Sequence, residues 1–284
     1  MIHVGSIRRL KRKVHARLCD ETNARASSSA IVFAPHQDDE TLGCGGTMIL
    51  KCKAGAPLAC VFMTDGATSH QAFIDAEELR RLRRAEALQA TAVLGLPADR
   101  VEFLGFPDGR LSGVHEAAVE HVAAIVDRCA PEEVYVPYSR DGTADHEATY
   151  RIVIDALRSV GRQTRVLEYP IWFWNRWPWV SFKLEAKRSL LGVLSQVMDA
   201  RFGLEVLREF RTGVLVAPVI ETKRKALTRH RSQMTALLPE TGWPTLPGVS
   251  NGELLDCLFQ DFEVFRSSHV AGNGRPPRGS QPLR

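Results

Sequence analysis

Paired cysteines are missing from this chain. Its six cysteines, at 19, 44, 52, 60, 129 and 257, form no Cys-x-x-Cys and no framework spacing, which argues against a disulfide scaffold and suits reduced thiols in a core. Long apolar runs are missing too. None reaches the roughly 20 residues of a membrane span, and the N-terminus lacks the continuous apolar stretch of a signal peptide, so a cytoplasmic protein with no integral membrane segment is expected. Charge of one sign is scarce: 37 Lys and Arg against 33 Asp and Glu leave +4. Much of that excess sits at the ends, in Arg8, Arg9, Lys11, Arg12, Lys13, Arg17 and Arg25, then Arg275, Arg278 and Arg284. With no basic-aromatic module nearby, this reads as a solvated arm, and no nucleic-acid partner is expected.

What remains is an ordinary globular composition, 25% charged and 44% apolar, in a chain long enough for one large α/β domain with appendages. The expected division is a basic arm over 1–29, a single domain over 30–268 and a Gly/Pro/Arg-rich disordered tail over 269–284. Apolar runs at 30–34, 57–63, 101–104, 133–137 and 165–169 read as strands. Between them, 47–53, 76–94, 115–129 and 147–160 read as helices, with Leu79, Leu82, Ala85, Leu88 and Ala92 expected on one face of the second. Strands alternating with helices of crossover length indicate a mainly parallel sheet covered on both faces, a Rossmann-like α/β fold with a smaller irregular C-terminal portion. In that portion 214–220 reads as a strand, 221–237 as a helix and 254–266 as a helix or strand. The segment 182–207 suits a lid or a homo-oligomer contact, and Trp172 to Trp179 reads first as core and second as a pocket wall.

Chemistry is expected where the strands end, because ligands in such sheets bind beyond the carboxyl edge. The first strand runs into His36-Gln37-Asp38-Asp39-Glu40, followed by Gly43-Cys44-Gly45-Gly46. An imidazole and adjacent carboxylates on one tight loop can divide labour, one carboxylate binding a metal and the other acting as general base. His36 and Asp39 supply two ligands of a three-ligand site. His146, at the end of the fourth strand in Asp141-Gly142-Thr143-Ala144-Asp145-His146, is the best third. Asp38 is then free to deprotonate water and to protonate a leaving amine, which describes metal-assisted amide hydrolysis. Asp145 suits either a hydrogen-bond acceptor that orients an imidazole or a helix cap.

The ordered set of His36-Gln37-Asp38-Asp39-Glu40 with Gly43-x-Gly45-Gly46, Thr64-Asp65-Gly66, Arg83-x-x-Glu86, Phe103 to Gly109, Asp145-His146, and Lys225-Ala226-Leu227 through His230-Arg231-Ser232-Gln233 resembles the PIG-L/LmbE-like zinc-dependent de-N-acetylases. The resemblance implies zinc, or another divalent metal, on His36, Asp39 and His146, with Asp38 as general base. It implies that Arg83 and Asp108 bind hydroxyls of an N-acylated amino sugar or glycoside, a GlcNAc-like small molecule, from which the acyl group is removed. Two departures stand out. Gln37 replaces the usual Pro, and Thr143 replaces the His that stabilises the tetrahedral oxyanion, leaving Thr143 itself, His70 or His230 to supply that donor.

Three rival readings compete with this one. A dinucleotide enzyme fails because the glycine spacing is wrong and the acidic cluster would repel a pyrophosphate. A serine hydrolase rests on Gly248-Val249-Ser250-Asn251-Gly252, which follows a proline-broken loop where that motif needs a strand. A catalytically weakened metal-binding or ligand-binding protein on the same scaffold is motivated by Thr143 and opposed by the retained His36, Asp38, Asp39 and His146.

Overall fold

The computed structural model describes residues 18–176, 179–180 and 208–272. The strands are β1 (Cys19–Asp20), β2 (Ala30–Ala34), β3 (Leu58–Thr64), β4 (Val101–Phe106), β5 (Glu133–Pro137), β6 (Thr164–Tyr169), β7 (Thr212–Leu215) and β8 (Phe262–Val270). They form one sheet in the order β1-β7-β8-β6-β5-β2-β3-β4, parallel throughout except for β8, which runs antiparallel to both neighbours. The α-helices are α1 (Asp39–Lys53), α2 (Ala76–Leu94), α3 (His115–Cys129), α4 (Ala144–Val160), α5 (Ile220–Leu227), α6 (Arg231–Met234) and α7 (Glu253–Leu258). Among the described residues, no helix is long and apolar enough to cross a membrane.

Alternation along β2 builds the two cores. Ala30, Val32 and Ala34 face a cluster with Leu42 and Met48 of α1, Leu94 of α2 and the C-terminal elements, while Ile31 and Phe33 face Val122 and Ile125 of α3 and Ile152 and Val153 of α4. A strand buried on both faces reads as a continuous apolar run for this reason. Beyond β5, β2 and β3, the loops converge on one rim.

Helix α1 is the element that fixes that rim. It is kinked at Cys44 (φ −145°, ψ 19°), and its glycines allow close packing. A Cβ on Gly43 would lie 2.3 Å from Cδ2 of Tyr169, and one on Gly46 would lie 2.5 Å from Cγ1 of Val216. The kink frees backbone donors that must be satisfied in the interior. Glu263 of β8 accepts from the Gly46 and Thr47 amides and the Thr47 hydroxyl, and pairs at 2.8 Å with the fully buried Lys223. Lys223 also donates to the Leu42 and Leu258 carbonyls. The Cys44 thiol is buried and pushed up, chiefly by burial, which fits a packing residue.

Several expectations need correction. Helix α1 starts at Asp39, not at 47, because the Gly-rich stretch is itself helical around a kink. The buried face of α2 is Leu79, Arg83, Glu86, Ala87, Ala90, Thr91 and Leu94, while Ala85 and Ala92 are exposed. Apolar periodicity misplaced this face because two of its members are charged and turned toward the rim. The 214–220 strand is β7, ending at Leu215, and the 221–237 helix is divided at Thr228 into α5 and α6. The 254–266 segment is α7 followed by β8. That strand reaches Val270, so residues 269 and 270 belong to the sheet and not to a tail. The end of the basic arm also joins the sheet, as β1 beside β7. Residues 1–17 of the arm, 273–284 of the tail and the 182–207 segment lie outside the described residues.

Candidate active site

Strand β2 delivers His36, Asp38 and Asp39 in a single turn. The Pro35 carbonyl accepts from the Thr64 amide and hydroxyl, tying the turn to the end of β3. Asp38 adopts φ 152° and ψ −25°, a conformation rare for a residue with a side chain and costing on the order of 1–3 kcal/mol. Its carbonyl nevertheless accepts from the Thr41 and Leu42 amides at the start of α1. The two adjacent carboxylates consequently have different neighbours.

Asp39 joins two imidazoles. Its Oδ2 is 3.2 Å from His36 Nδ1 and 3.3 Å from His146 Nε2, although those histidines are 110 positions apart in the chain. The three donor atoms lie within 4.8 Å of one another. A tetrahedral ion with bonds of roughly 2.0–2.1 Å has donor-donor edges of about 3.3–3.4 Å, so the spacing fits one divalent cation. His146 is fully buried, and among the described residues neither of its ring nitrogens finds a partner in good hydrogen-bonding geometry. Burial alone would lower its pKa, yet Asp39 and Asp141 push it up to about 9. Against the same cost of burial, Asp108, Asp145 and Asp39 hold His36 well above its ordinary value. Without a cation the cluster thus satisfies itself with protons, which a metal would displace.

A carboxylate shell orients both imidazoles. His36 Nε2 lies 3.2 Å from Asp108 and 3.4 Å from Asp145, and His146 Nδ1 lies 2.8 Å from Asp141. Such contacts fix tautomer and ring direction at metal sites. Asp145 also accepts from the Gly109 and Leu111 amides, while Asp108 accepts from the Thr68 amide and hydroxyl. Asp141 further accepts from the amides of Ile171, Trp172 and Phe173, which anchors the chain beyond β6. Its importance was not legible from the motif, although its place at a strand end, five positions before His146, was the available signal.

Asp38 faces a cavity of about 300 Å³ lined also by His36, Asp39, Arg83, Asp108, Thr143, Trp172 and Gln233. All seven residues singled out from the sequence therefore meet here, with His146 buried behind the lining. Burial, followed by the negative charge of Asp39, raises Asp38 to about 7. The Gln233 amide donates to its Oδ2, and its own backbone amide donates to Glu40 Oε2 at 3.0 Å. Glu40 Oε1 in turn lies 2.9 Å from His230 Nε2. Glu86 accepts from the Ser232 amide and hydroxyl, so two distant motif residues brace the helix that carries Gln233.

Of the three oxyanion-donor candidates, Thr143 alone both lines the cavity and carries a side-chain donor with no partner among the described residues, its buried Oγ1; His230 Nδ1 is likewise unpartnered there but lies off the lining. His70 has Nε2 bonded to the Pro244 carbonyl and Nδ1 facing Ser69 Oγ, which also accepts from Arg83. His230 is fully buried on Glu40 and is absent from the cavity lining. The tryptophans divide: Trp174 and Trp179 meet edge to face in the core, while Trp172 lines the cavity. Ser250 sits in a loop at φ 48° and donates to Asn175, with no preceding strand.

Residues 31–157 match the family described as PIG-L: GlcNAc-PI de-N-acetylase. The matched stretch runs from β2 to α4, and over it the chain is similar to that family. A relative described as a probable N-acetyl-alpha-D-glucosaminyl L-malate deacetylase 2, from Bacillus cereus, is 24% identical over 217 residues, 74% of this chain and 86% of the relative. The N,N'-diacetylchitobiose deacetylase of Pyrococcus horikoshii superposes with a TM-score of 0.59 at 18% identity over 94% of each chain. GalB, a 4-carboxy-2-hydroxymuconate hydratase from Pseudomonas putida, superposes at 0.52 with 16% identity, covering 90% of this chain and 100% of its own. Proteins described as a deacetylase and a hydratase thus share this fold, and the chemistry has to be argued from the site.

Proposed function

We propose that this protein is a metal-dependent N-deacetylase that removes an acetyl or other N-acyl group from an amino-sugar-containing small molecule. The observation that carries the reading is the meeting of His36, Asp39 and His146, their donor atoms within 4.8 Å of one another, beside a second, separately held carboxylate, Asp38. Mixed nitrogen and carboxylate donors suit zinc, with another divalent metal as the alternative. A divalent ion there supplies Lewis acidity toward an acyl carbonyl and toward water. Asp38, kept on the cavity by Gln233, takes the proton from water and later returns it to the leaving amine. The Thr143 hydroxyl donates to the developing oxyanion. Arg83 and the remaining lone pairs of Asp108 bind sugar hydroxyls, Asp108 also orienting His36.

The relatives described as glucosaminyl malate and diacetylchitobiose deacetylases support an acetylated glucosamine unit as the recognised part of the substrate. We take the described residues from β1 to β8 as one domain, since β6, β7, β8 and β1 extend the sheet begun in the segment that matches the PIG-L family, and we place the protein in the cytoplasm. Metal analysis of the purified protein, with amine release from N-acetylated amino sugars before and after chelation, tests the reading. Chelator-sensitive release that returns with added zinc is expected. Tight metal binding with no release from any acylated amine would favour the alternative, a weakened binding protein, for which Thr143 in place of a histidine is the motive.

A further inference from the structure

The walls of the cavity differ in chemistry on its two sides. Toward β3 and β4 they are polar: Thr68, Ser69 and His70 follow β3, Asp108 follows β4, and Arg83 comes from α2. Toward β5 and β6 they are Thr143 and Trp172, and Leu42 of α1 with Leu246 and Val249 completes the apolar lining. The sheet order β6-β5-β2-β3-β4 puts the His36, Asp39 and His146 centre between the two sides. Segment 243–250 spans them. At one end Trp243 stacks on His70 with centroids 4.4 Å apart and the Pro244 carbonyl accepts from His70. At the other, Ser250 donates to Asn175, three residues after Trp172, at 2.6 Å.

Among the described lining residues the single guanidinium is Arg83, on the polar side and bonded to Ser69, while the lining on the β6 side is uncharged, the nearby Arg176 guanidinium lying against Gly142 and over the Phe173 ring. A carboxylate-bearing substituent extending that way would lose its hydration without gaining a partner, whereas an apolar one gains by leaving water. Resting on the deacetylase reading above, we infer that the substrate carries a neutral apolar group, seated against Leu42, Trp172, Leu246 and Val249 while its sugar hydroxyls face Arg83 and Asp108. The group is either an acyl chain longer than acetyl or an apolar substituent at the anomeric carbon.

The zinc-loaded full chain is assayed for amine release from N-acetylglucosamine, N-hexanoylglucosamine, octyl and phenyl N-acetylglucosaminides, and N-acetylglucosaminyl malate. A kcat/KM at least tenfold above N-acetylglucosamine for the hexanoyl compound assigns the wall to the acyl chain, and the same gain for the octyl or phenyl glycoside assigns it to the anomeric substituent. Leu246→Asn and Trp172→Ala should shrink that ratio to below about threefold. Equal rates across the series, or a preference for the malate, overturn the inference while leaving the deacetylase reading intact. Release from none of them overturns the deacetylase reading, and calorimetry on the chelated protein then decides the wall by itself. Octyl glucosaminide binding at least tenfold tighter than glucosamine, with the gain lost in Leu246→Asn, supports an apolar site, and equal affinities refute it.

Discussion

Replacing Asp38 with asparagine separates the chemistry of this site from its stability. The side chain is 6% exposed, and burial together with Asp39 raises it from 3.8 to about 7. A carboxyl whose folded pKa is raised opposes folding in its ionised form. The opposition begins as pH rises above 3.8 and is complete above 7, where a shift of about three units corresponds to roughly 4 kcal/mol at most. Asparagine keeps an acceptor for the Gln233 amide and cannot ionise. In the chelated protein at pH 8, Asp38→Asn is therefore expected to raise unfolding stability by about 2 to 4 kcal/mol, with the gap closing toward pH 4. Turnover of the zinc-loaded enzyme should fall by about 10² to 10⁴, the usual contribution of general acid-base catalysis, while metal content stays near that of the parent. Urea titrations at pH 4 and 8, metal analysis and amine release measure the three quantities. Turnover within threefold of the parent, loss of the metal, or lower stability at pH 8 would each refute the assignment of Asp38 as an unliganded base.

His146, raised to about 9 by Asp39 and Asp141 in spite of burial, should stabilise the chelated protein fully below about pH 6.5 and lose that contribution, up to about 3 kcal/mol, as pH passes 9; unfolding midpoints between pH 6 and 10 check this, while metal affinity rises over the same range as the proton ceases to compete. Thr143→Val removes a buried, unpartnered hydroxyl on the cavity and is expected to lower kcat by about 10² with little change in KM; an unchanged kcat would mean that the oxyanion is held elsewhere. Lys223→Met leaves Glu263 buried with only its contacts to Gly46 and Thr47 and should cost about 3 kcal/mol in urea; a cost below about 1 kcal/mol would show that the pair does not hold α1. Gly43→Ala drives a methyl into the Tyr169 ring at 2.3 Å and should cost about 1–3 kcal/mol, read as a fall in thermal midpoint.

The sequence by itself determined the kind of chemistry and the edge of the sheet where it takes place. An apolar run such as 30–34 is buried on both faces whatever surrounds it, and the polar cluster that follows must emerge at the strand's carboxyl end. The cap of α2 is local in the same way, the Asp75 side chain accepting from the Glu77 and Glu78 amides, although the apolar pattern that marked the helix did not point to it. Tertiary structure alone decided which distant groups would share space. Arg83 and Glu86 occupy the buried face of α2 because partners in other segments, Ser69 and Ser232, compensate their burial, and hydrophobic periodicity carries no record of such partners. The antiparallel entry of β8 between β7 and β6 and the span of 243–250 across the cavity likewise depend on pairings over tens to hundreds of residues. Those pairings are set by packing and by the satisfaction of buried polar groups, neither of which a local stretch of sequence contains.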